Sequence, residues 1–275
     1  MINRVGIVGG GVVGQATAKS FFEHVKEVQV YDVSPVRRTH NSLLHVLESD
    51  LVFICLPSPQ KEDDLGLDVT IIYDFFAELA VKYPHRLSQF HFVLKSTVPI
   101  GTTLHLARTY GMDIVHSPEF LTARCAVLDA QIPNRNIIGS NDRLSDTTGR
   151  LYKLYTQRFP HVPIVHCTSS ESEAVKLFTN AFFATKVAFW NEMSLIAKRL
   201  KLDWTTLIDT ILLDGRIHPS HTTVPGPDGQ FGFGGTCLPK DLSEVAVTLK
   251  NLGWGDVFVT NAAYQRNQMD RGRQY

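Results

Sequence analysis

A glycine-rich loop near the end of the chain delivers one thiol into a charged segment. Residues Phe231 to Asp241 read FGFGGTCLPKD, which places Cys237 after a glycine pair and shortly before Lys240. A free cysteine is most often a small buried residue. Flexible backbone and charged neighbours are instead typical of a thiol that acts as a nucleophile. We therefore interpret Cys237 as a candidate catalytic nucleophile.

A second polar group lies on a predicted helix. Lys176 and Asn180 are four positions apart and share one helical face, which alone would indicate a solvated surface pair. Apolar residues spread around the same helix and predict that it is buried: Phe178, Phe182, Phe183, Val187 and Phe189. On a buried helix, the lysine could exchange a proton with an alcohol and the amide could hold an alkoxide or thiohemiacetal oxygen.

The N-terminal turn GGGVVG, from Gly9 to Gly14, follows a predicted strand and opens a predicted helix. Backbone amides and a helix N-terminus can meet a pyrophosphate there. Asp32 ends the next strand, 18 residues after the last glycine, where a carboxylate binds the ribose of NAD and repels the 2′-phosphate of NADP. Arg37 and Arg38 follow closely, so NADP is not excluded as the cofactor.

Two further polar residues come just after predicted strands. Thr97 lies in KSTVPIGT and Glu119 in HSPEF. Open parallel sheets bind their ligands at this carboxyl edge, although either residue could instead cap a helix. At a site, Glu119 could activate a water molecule and Thr97 could position it.

Short β-branched runs alternate with helical stretches through the first part of the chain. The predicted strands are residues 4–8, 27–32, 51–57, 91–97, 113–117, 136–140 and 163–167. This alternation predicts an α/β fold, a Rossmann-like doubly wound parallel sheet with both faces covered. We expect an NAD-binding domain over residues 1–168.

The pattern becomes helical after this sheet. Ser170 and Glu173 have the spacing of a capping box before a helix that runs to about Leu200. Further helices are predicted at residues 204–213 and 240–252. We expect a mostly helical domain over residues 169–275, which carries the cysteine loop.

Composition excludes several classes of function. Lysines plus arginines equal aspartates plus glutamates at 27 each, so no overall basic field favours nucleic acid or an anionic membrane. The four cysteines form no CxxC pair and have no histidines at zinc spacing, which predicts no metal site and a reducing, cytoplasmic setting. Without a leader or an apolar run near ~18 residues, we expect a soluble protein.

Several short motifs, in order along the chain, match one family. They are GGGVVG, Asp32, CLPSP at 55–59, STVPIGT at 96–102, SPEFL at 117–121, ESEAVKLFTN at 171–180, NE at 191–192, DGRI at 214–217 and FGFGGTCLPKD at 231–241. Each motif is modest alone, but together they are specific. The chain resembles the UDP-glucose/GDP-mannose dehydrogenase family over nearly its whole length.

The resemblance implies a four-electron oxidation of the C6 alcohol of a nucleotide sugar to a carboxylate, with two NAD per substrate. By analogy, Lys176 and Asn180 assist the first hydride transfer. Cys237 captures the aldehyde as a thiohemiacetal, and a second hydride transfer gives a thioester. Water guided by Glu119 and Thr97 then releases the acid.

The resemblance also implies that Asp241 supports the proton transfers. It implies cofactor contacts from Gly9, Gly11, Val13, Gly14, Asp32, Arg37, Ser58, Thr97 and Lys240. It implies substrate contacts from Glu119, Phe120, Leu121, Lys176, Asn180, Arg216, Phe233 and Gly234. In the family, the arginine that matches Arg216 reaches the substrate of a neighbouring subunit, so a homodimer through the helical domain is expected.

Family members normally continue into a third domain that grips the nucleotide, so the expectation is a short form or a fragment without that domain. UDP-glucose is the default substrate, while UDP-N-acetylmannosamine and GDP-mannose share the same chemistry. Two other functions stay open. A two-electron β-hydroxyacid dehydrogenase has the same arrangement of domains but no need for GGTCLPKD, and a non-catalytic NAD-binding module would retain only cofactor binding.

Overall fold

The chain folds into two compact units. The computed structural model describes residues 2–62, 66–122, 124–254 and 258–272. The first unit contains Met1–Ser58 and Asp68–Lys176, and the second contains Pro59–Leu67 and Leu177–Tyr275. The division therefore falls within a helix rather than after residue 168, and one short segment of the first half belongs to the second unit.

A seven-stranded sheet organises the first unit. Its strands are β1 Arg4–Val8, β2 Glu27–Tyr31, β3 Leu51–Ile54, β4 Phe92–Leu94, β5 Ile114–His116, β6 Asn136–Gly139 and β7 Ile164–Cys167. The strand order is β2-β1-β3-β4-β5-β6-β7, and every neighbouring pair is parallel except β5 and β6. The predicted Rossmann-like fold class is confirmed. Each predicted strand is present, β1 with the predicted bounds and the other six shorter than predicted.

Helices cover both faces of this sheet. They are α1 Val12–Phe21, α2 Leu43–Leu47, α3 Thr70–Lys82, α4 Thr102–Tyr110, α5 Ala126–Gln131 and α6 Asp146–Arg158, with 3-10 turns at Pro35–Arg37 and Leu87–Gln89. Alternate residues of β3 enter different apolar clusters: Val52 packs in one, with Phe76, and Phe53 packs in the other, with Leu151. Because successive strand side chains point to opposite faces, the sheet has one core layer on each side.

The remaining helices are α7 Ser169–Arg199, α8 Trp204–Ile211, α9 Leu238–Asn251 and α10 Val259–Gly272. The first three confirm helices predicted from the sequence, whereas α10 was not predicted. In the described parts of the chain, no helix is both long and apolar enough to cross a membrane.

The start of α7 is capped by residues other than the predicted pair. The Thr168 hydroxyl accepts from the Glu171 amide at 3.2 Å, and the Glu171 carboxylate accepts from the Thr168 amide at 2.7 Å. This reciprocal pairing is a capping box. The prediction that Ser170 and Glu173 form the box was wrong, because the Glu173 carboxylate accepts hydrogen bonds from another loop of the first unit.

Removing this cap gives a direct test of the assignment. We expect Thr168→Ala to lower the free energy of unfolding by about 1 kcal/mol, since the Glu171 amide loses its side-chain acceptor and the Glu171 carboxylate loses the Thr168 hydroxyl. Ser170→Ala is the matched control and should change stability by less than about 0.5 kcal/mol. Urea denaturation of both variants measures the difference, and equal losses would contradict the assigned cap.

The aromatic residues of α7 are less buried than the sequence suggested. Phe178, Phe182 and Phe189 have relative exposures of 55%, 63% and 51%, so the prediction that they bury the helix was wrong. Small residues instead form its buried face, with Ala181, Ala184 and Ala188 each at most 5% exposed. Positions 181, 184 and 188 follow helical spacing, and so do 178, 182 and 189, but on a different face.

Candidate active site

The β1–α1 turn forms a cradle of backbone atoms. Gly9 has a φ of +98°, which favours glycine. A side chain on Gly14 would collide with the Gly9 carbonyl oxygen, so α1 can begin close to the turn only with glycine there. A side chain on Gly11 would instead enter open space. The turn therefore leaves room in front of its amides for a ligand.

A cleft of about 810 Å³ lies in front of this turn within the first unit. Its lining includes Gly10, Gly11, Gln15, Arg37 and Arg124. A helix N-terminus, open backbone amides and two guanidinium groups suit the pyrophosphate of a dinucleotide. The residues present therefore fit NAD.

Asp32 fixes the glycine turn. Its Oδ2 accepts from the Gly10 amide at 2.6 Å, and its Oδ1 accepts from the Ser34 amide at 2.8 Å. The carboxylate therefore ties the end of β2 to the glycine turn. An ionised carboxylate can accept further hydrogen bonds from ribose hydroxyls.

A buried ion pair lies elsewhere in the first unit. The Lys176 ammonium donates to Glu119 Oε1 at 2.8 Å, and the two side chains are 4% and 10% exposed. Glu119 follows β5 and Lys176 lies on α7, so one carboxyl end of the sheet and one helix bring them together. The sequence placed both residues in the site, and the structure shows them as direct partners.

Glu119 keeps its negative charge although its side chain is buried. Burial acts to raise the pKa of this carboxyl group. The Lys176 ammonium and a hydrogen bond from the Leu121 amide outweigh that effect and hold the pKa below its usual value. Glu119 is therefore ionised at neutral pH, in the form that a general base requires. The adjoining Phe120 ring packs 4.0 Å from the Arg135 guanidinium.

Glu173 organises the loop that carries Thr97. Its carboxylate accepts from the Gly101 amide at 2.5 Å and from the Thr103 amide at 2.8 Å, at the start of α4. Burial raises the pKa of Glu173 above its usual value even though these donors lower it. Thr97, in the same loop, is 8% exposed. Sequence reasoning missed this role of Glu173, because its spacing from Ser170 matched a local cap.

The second unit groups the thiol with a buried carboxylate. Cys237 immediately precedes α9, and Asp241 lies one turn later with no exposed surface. Asn180 Nδ2 donates to Asp241 Oδ2 at 2.5 Å, and Lys240 donates to Asp241 Oδ1 at 2.6 Å. Four of the predicted site residues therefore lie close together.

Three side chains fix the glycine-rich loop before Cys237. Asn191 accepts from the Gly232 amide at 2.8 Å, and Asn267 accepts from the Phe233 amide at 2.7 Å. Arg271 donates to the Phe233 carbonyl at 3.2 Å. Asn267 and Arg271 lie on α10, a polar helix without a recognisable motif, so no sequence signal predicted their role.

The remaining predicted contacts are less clustered. Ser58 is buried in the first unit, and Val13 follows Gly11 in the first turn of α1. In the second unit, Phe233 is 3% exposed, whereas the Arg216 side chain is 89% exposed and pairs with Asp214. These cofactor and substrate assignments stay predictions.

Two family profiles match most of the chain. The NAD binding domain of the UDP-glucose/GDP-mannose dehydrogenase family matches residues 36–158, and the central domain of the same family matches residues 170–269. Both profiles therefore match consecutive parts of the chain, in the order that the motifs predicted.

Individual proteins show the same similarity. A UDP-glucose 6-dehydrogenase from Campylobacter jejuni is 31% identical over 229 residues, which span 83% of this chain and 56% of that protein. A UDP-glucose dehydrogenase structure from Pyrobaculum islandicum has a TM-score of 0.83 at 24% identity, covering 98% of this chain and 68% of that chain. The chain thus spans about half the length of the first curated relatives that it matches.

The fold is also shared with a dehydrogenase that has a different name. The structure of 3-hydroxyisobutyrate dehydrogenase from Mycobacterium tuberculosis has a TM-score of 0.72 at 16% identity. It covers 99% of this chain and 95% of that chain. At this identity the likeness shows the fold alone, so the chemistry must be argued from the side chains.

Proposed function

Since the chain belongs to the UDP-glucose/GDP-mannose dehydrogenase family, we propose that it performs an NAD-dependent four-electron oxidation of a nucleotide sugar. The C6 alcohol would become a carboxylate, with UDP-glucose as the first substrate to test. The observation that carries the proposal is the placement of Cys237 one helical turn before the buried Asp241, which Asn180 and Lys240 both contact. A two-electron alcohol oxidation has no need for this thiol.

The thiol explains how two oxidations occur on one carbon. The first oxidation of the alcohol yields an aldehyde. Attack by Cys237 Sγ on the aldehyde carbon forms a C–S bond, and protonation of the oxygen gives a thiohemiacetal. Its oxidation gives a thioester, and attack by water breaks the C–S bond, releases the acid and restores the thiol. NAD, when bound, supplies the hydride acceptor for both oxidations.

The charged residues would manage the protons of these steps. Lys176 stabilises negative charge on the substrate oxygen and exchanges its proton, while Glu119, ionised beside it, accepts a proton from the attacking water. Thr97 orients that water. Asn180 donates a hydrogen bond to the developing oxyanion, and Asp241 holds the Asn180 amide in position.

Asp32 would set the preference for NAD. We expect Asp32→Ala to weaken NAD binding by about tenfold, because the ribose loses an ionised acceptor and the glycine turn loses its anchor. The ratio of NAD to NADP affinity should fall, since the repulsion of a 2′-phosphate disappears. Fluorescence titration with NADH and NADPH measures both affinities. An unchanged ratio would exclude Asp32 from the ribose site.

Reaction stoichiometry tests the proposed function. We expect two NADH per sugar consumed, measured by absorbance and by chromatography of the sugar nucleotide, with UDP-glucose, UDP-N-acetylmannosamine and GDP-mannose each tried. One NADH per substrate would favour a two-electron dehydrogenase of the β-hydroxyacid type. Saturable NAD binding without turnover on any sugar would favour a non-catalytic module.

We also infer a homodimer through the helical unit. Phe178, Phe182 and Phe189 expose more than half of their surface on one face of α7, and an aromatic stripe of this kind favours burial against a partner. Sedimentation velocity on wild type and Phe182→Glu tests the inference, because a charge at the centre of the stripe should dissociate the dimer.

The four cysteines are free, which suits the reducing cytoplasm in which we place the activity.

A further inference from the structure

We propose that Glu27, His40 and His45 form a binding site for a divalent transition-metal ion of the zinc class. Each residue offers one ligand atom, and the three atoms all lie within 4.8 Å of one another. Glu27 begins β2, His40 lies in the loop after Asp32, and His45 lies on α2. All three belong to the first unit. Two imidazoles and one carboxylate are a preferred donor set for Zn²⁺, with a fourth position left to water.

The separation of His40 from Glu27 matches two ligands of one ion better than a hydrogen-bonded ion pair. Nε2 of His40 lies 3.6 Å from Oε1 of Glu27, which is too long for a hydrogen bond. Two ligands at about 2.1 Å from a tetrahedral ion lie roughly 3.4 Å apart. The ring centroids of His40 and His45 are 5.5 Å apart, and two imidazoles on one such ion would have centroids roughly 5 Å apart. The three ligand atoms lie within 4.8 Å of one another, so side-chain rotations that bring them to about 3.4 Å would complete the site.

The surrounding structure holds His40 in place. His40 Nδ1 lies 3.2 Å from the Thr39 hydroxyl, which leaves Nε2 directed toward Glu27 for metal binding. The amides of Thr39 and His40 both donate to the Val30 carbonyl, and the Val30 amide donates to the Thr39 hydroxyl. A polar partner on the second ring nitrogen and a fixed backbone are typical of metal-binding histidines.

The proposed site is distinct from the cofactor cleft. Glu27 lies at the amino end of β2 and Asp32 follows its carboxyl end, which separates the two positions by roughly 16 Å along the strand. The segment between Asp32 and His40 contains Arg37, which lines the cleft. A bound ion would hold the His40 end of this segment in place. No sequence pattern predicted this site, because its ligands lack the short, regular spacing of zinc motifs.

Isothermal titration of tag-free protein with zinc sulfate alone tests the proposal. The protein would carry Cys125→Ser, Cys167→Ser and Cys237→Ser throughout, so that the exposed and half-buried thiols do not bind the metal. We expect one ion per chain, and we expect His40→Ala and His45→Ala each to weaken binding by about 10–100-fold or more. His85→Ala, at an exposed histidine outside the cluster, is the matched control and should bind as wild type does.

Two further measurements guard against misfolding and adventitious binding. Glu27→Gln keeps the size of the side chain and removes its charge, so it should weaken Zn²⁺ binding while circular dichroism stays unchanged. Zn²⁺ should also raise the unfolding temperature of the tag-free protein and not that of a His40→Ala, His45→Ala double variant. No binding by wild type, or equal binding by wild type and the double variant, would overturn the proposal.

Discussion

Replacement of Cys237 with serine is expected to abolish the second oxidation. A serine hydroxyl is a far weaker nucleophile than a thiolate at neutral pH, so the aldehyde is not captured and no thioester forms. The steady-state rate should fall by about 10³-fold or more, in the range found when a covalent nucleophile is removed. The NADH yield should fall from two per sugar to at most one, with aldehyde as the product.

The experiment has a matched control in the same chain. Cys167→Ser changes a thiol at the end of β7, in the first unit, and should leave turnover unchanged. The affinity of Cys237→Ser for NAD should equal that of wild type, because the glycine turn and Asp32 belong to the first unit and are not altered. Mass spectrometry of wild type during turnover should detect a substrate adduct that the serine variant lacks. Two NADH per sugar from Cys237→Ser would exclude the thiol as the nucleophile.

The sequence predicted the architecture well because its signals are local. β-Branched runs, the glycine turn and helical periodicity each act over a few residues, and all seven strands and the long helix follow from them. The helix α10 was missed because its residues are mostly polar and give no apolar stripe. The membership of Pro59–Leu67 in the second unit was also missed, since it depends on contacts distant in sequence. One of these is the 2.9 Å bond from the Leu67 amide to Glu244.

The sequence predicted which residues belong to the candidate site but not which of them contact each other. Lys176 and Asn180 are buried as expected, yet for a different reason: small alanines, and not the phenylalanines, form the buried face of α7. The partners of these two residues, Glu119 and Asp241, lie 57 and 61 positions away along the chain. No local pattern contains such a pairing. The role of Glu173 was missed for the same reason, because the Gly101 and Thr103 amides that donate to it are about 70 positions away along the chain.

Replacement of Lys176 with methionine should impair both catalysis and stability. Methionine fills a similar volume without charge, so Glu119 remains as an uncompensated buried carboxylate. Removal of one partner from a buried ion pair typically costs about 3–5 kcal/mol. The loss of proton exchange with the substrate oxygen should lower kcat by about 10²–10⁴-fold. Lys82→Met, at an exposed lysine in the last turn of α3, is the control and should change neither quantity appreciably.

The pH dependence of stability distinguishes the loss of the Lys176 charge beside Glu119 from a general destabilisation of the fold. In wild type, the pKa of Glu119 lies below its usual value of 4.5, so its contribution to stability is present above that pH and is lost as pH falls through the folded-state pKa. Without Lys176, burial dominates and raises the pKa above 4.5. The variant should then lose stability as pH rises from 4.5 through the new pKa. The contribution of Glu119 to stability therefore changes with pH in opposite directions in the variant and in wild type.

A double variant separates the ion pair from the fold. Lys176→Met with Glu119→Gln removes both charges, so the free energy of unfolding should recover part of the single-variant loss and the added pH slope should disappear. Catalysis should not recover, because the proton acceptor is then missing as well. Urea denaturation across pH 4–8 with kcat at each pH provides all three readouts. A Lys176→Met protein with the pH slope of wild type would show that Lys176 does not hold the charge of Glu119, and an unchanged kcat would remove Lys176 from the chemistry.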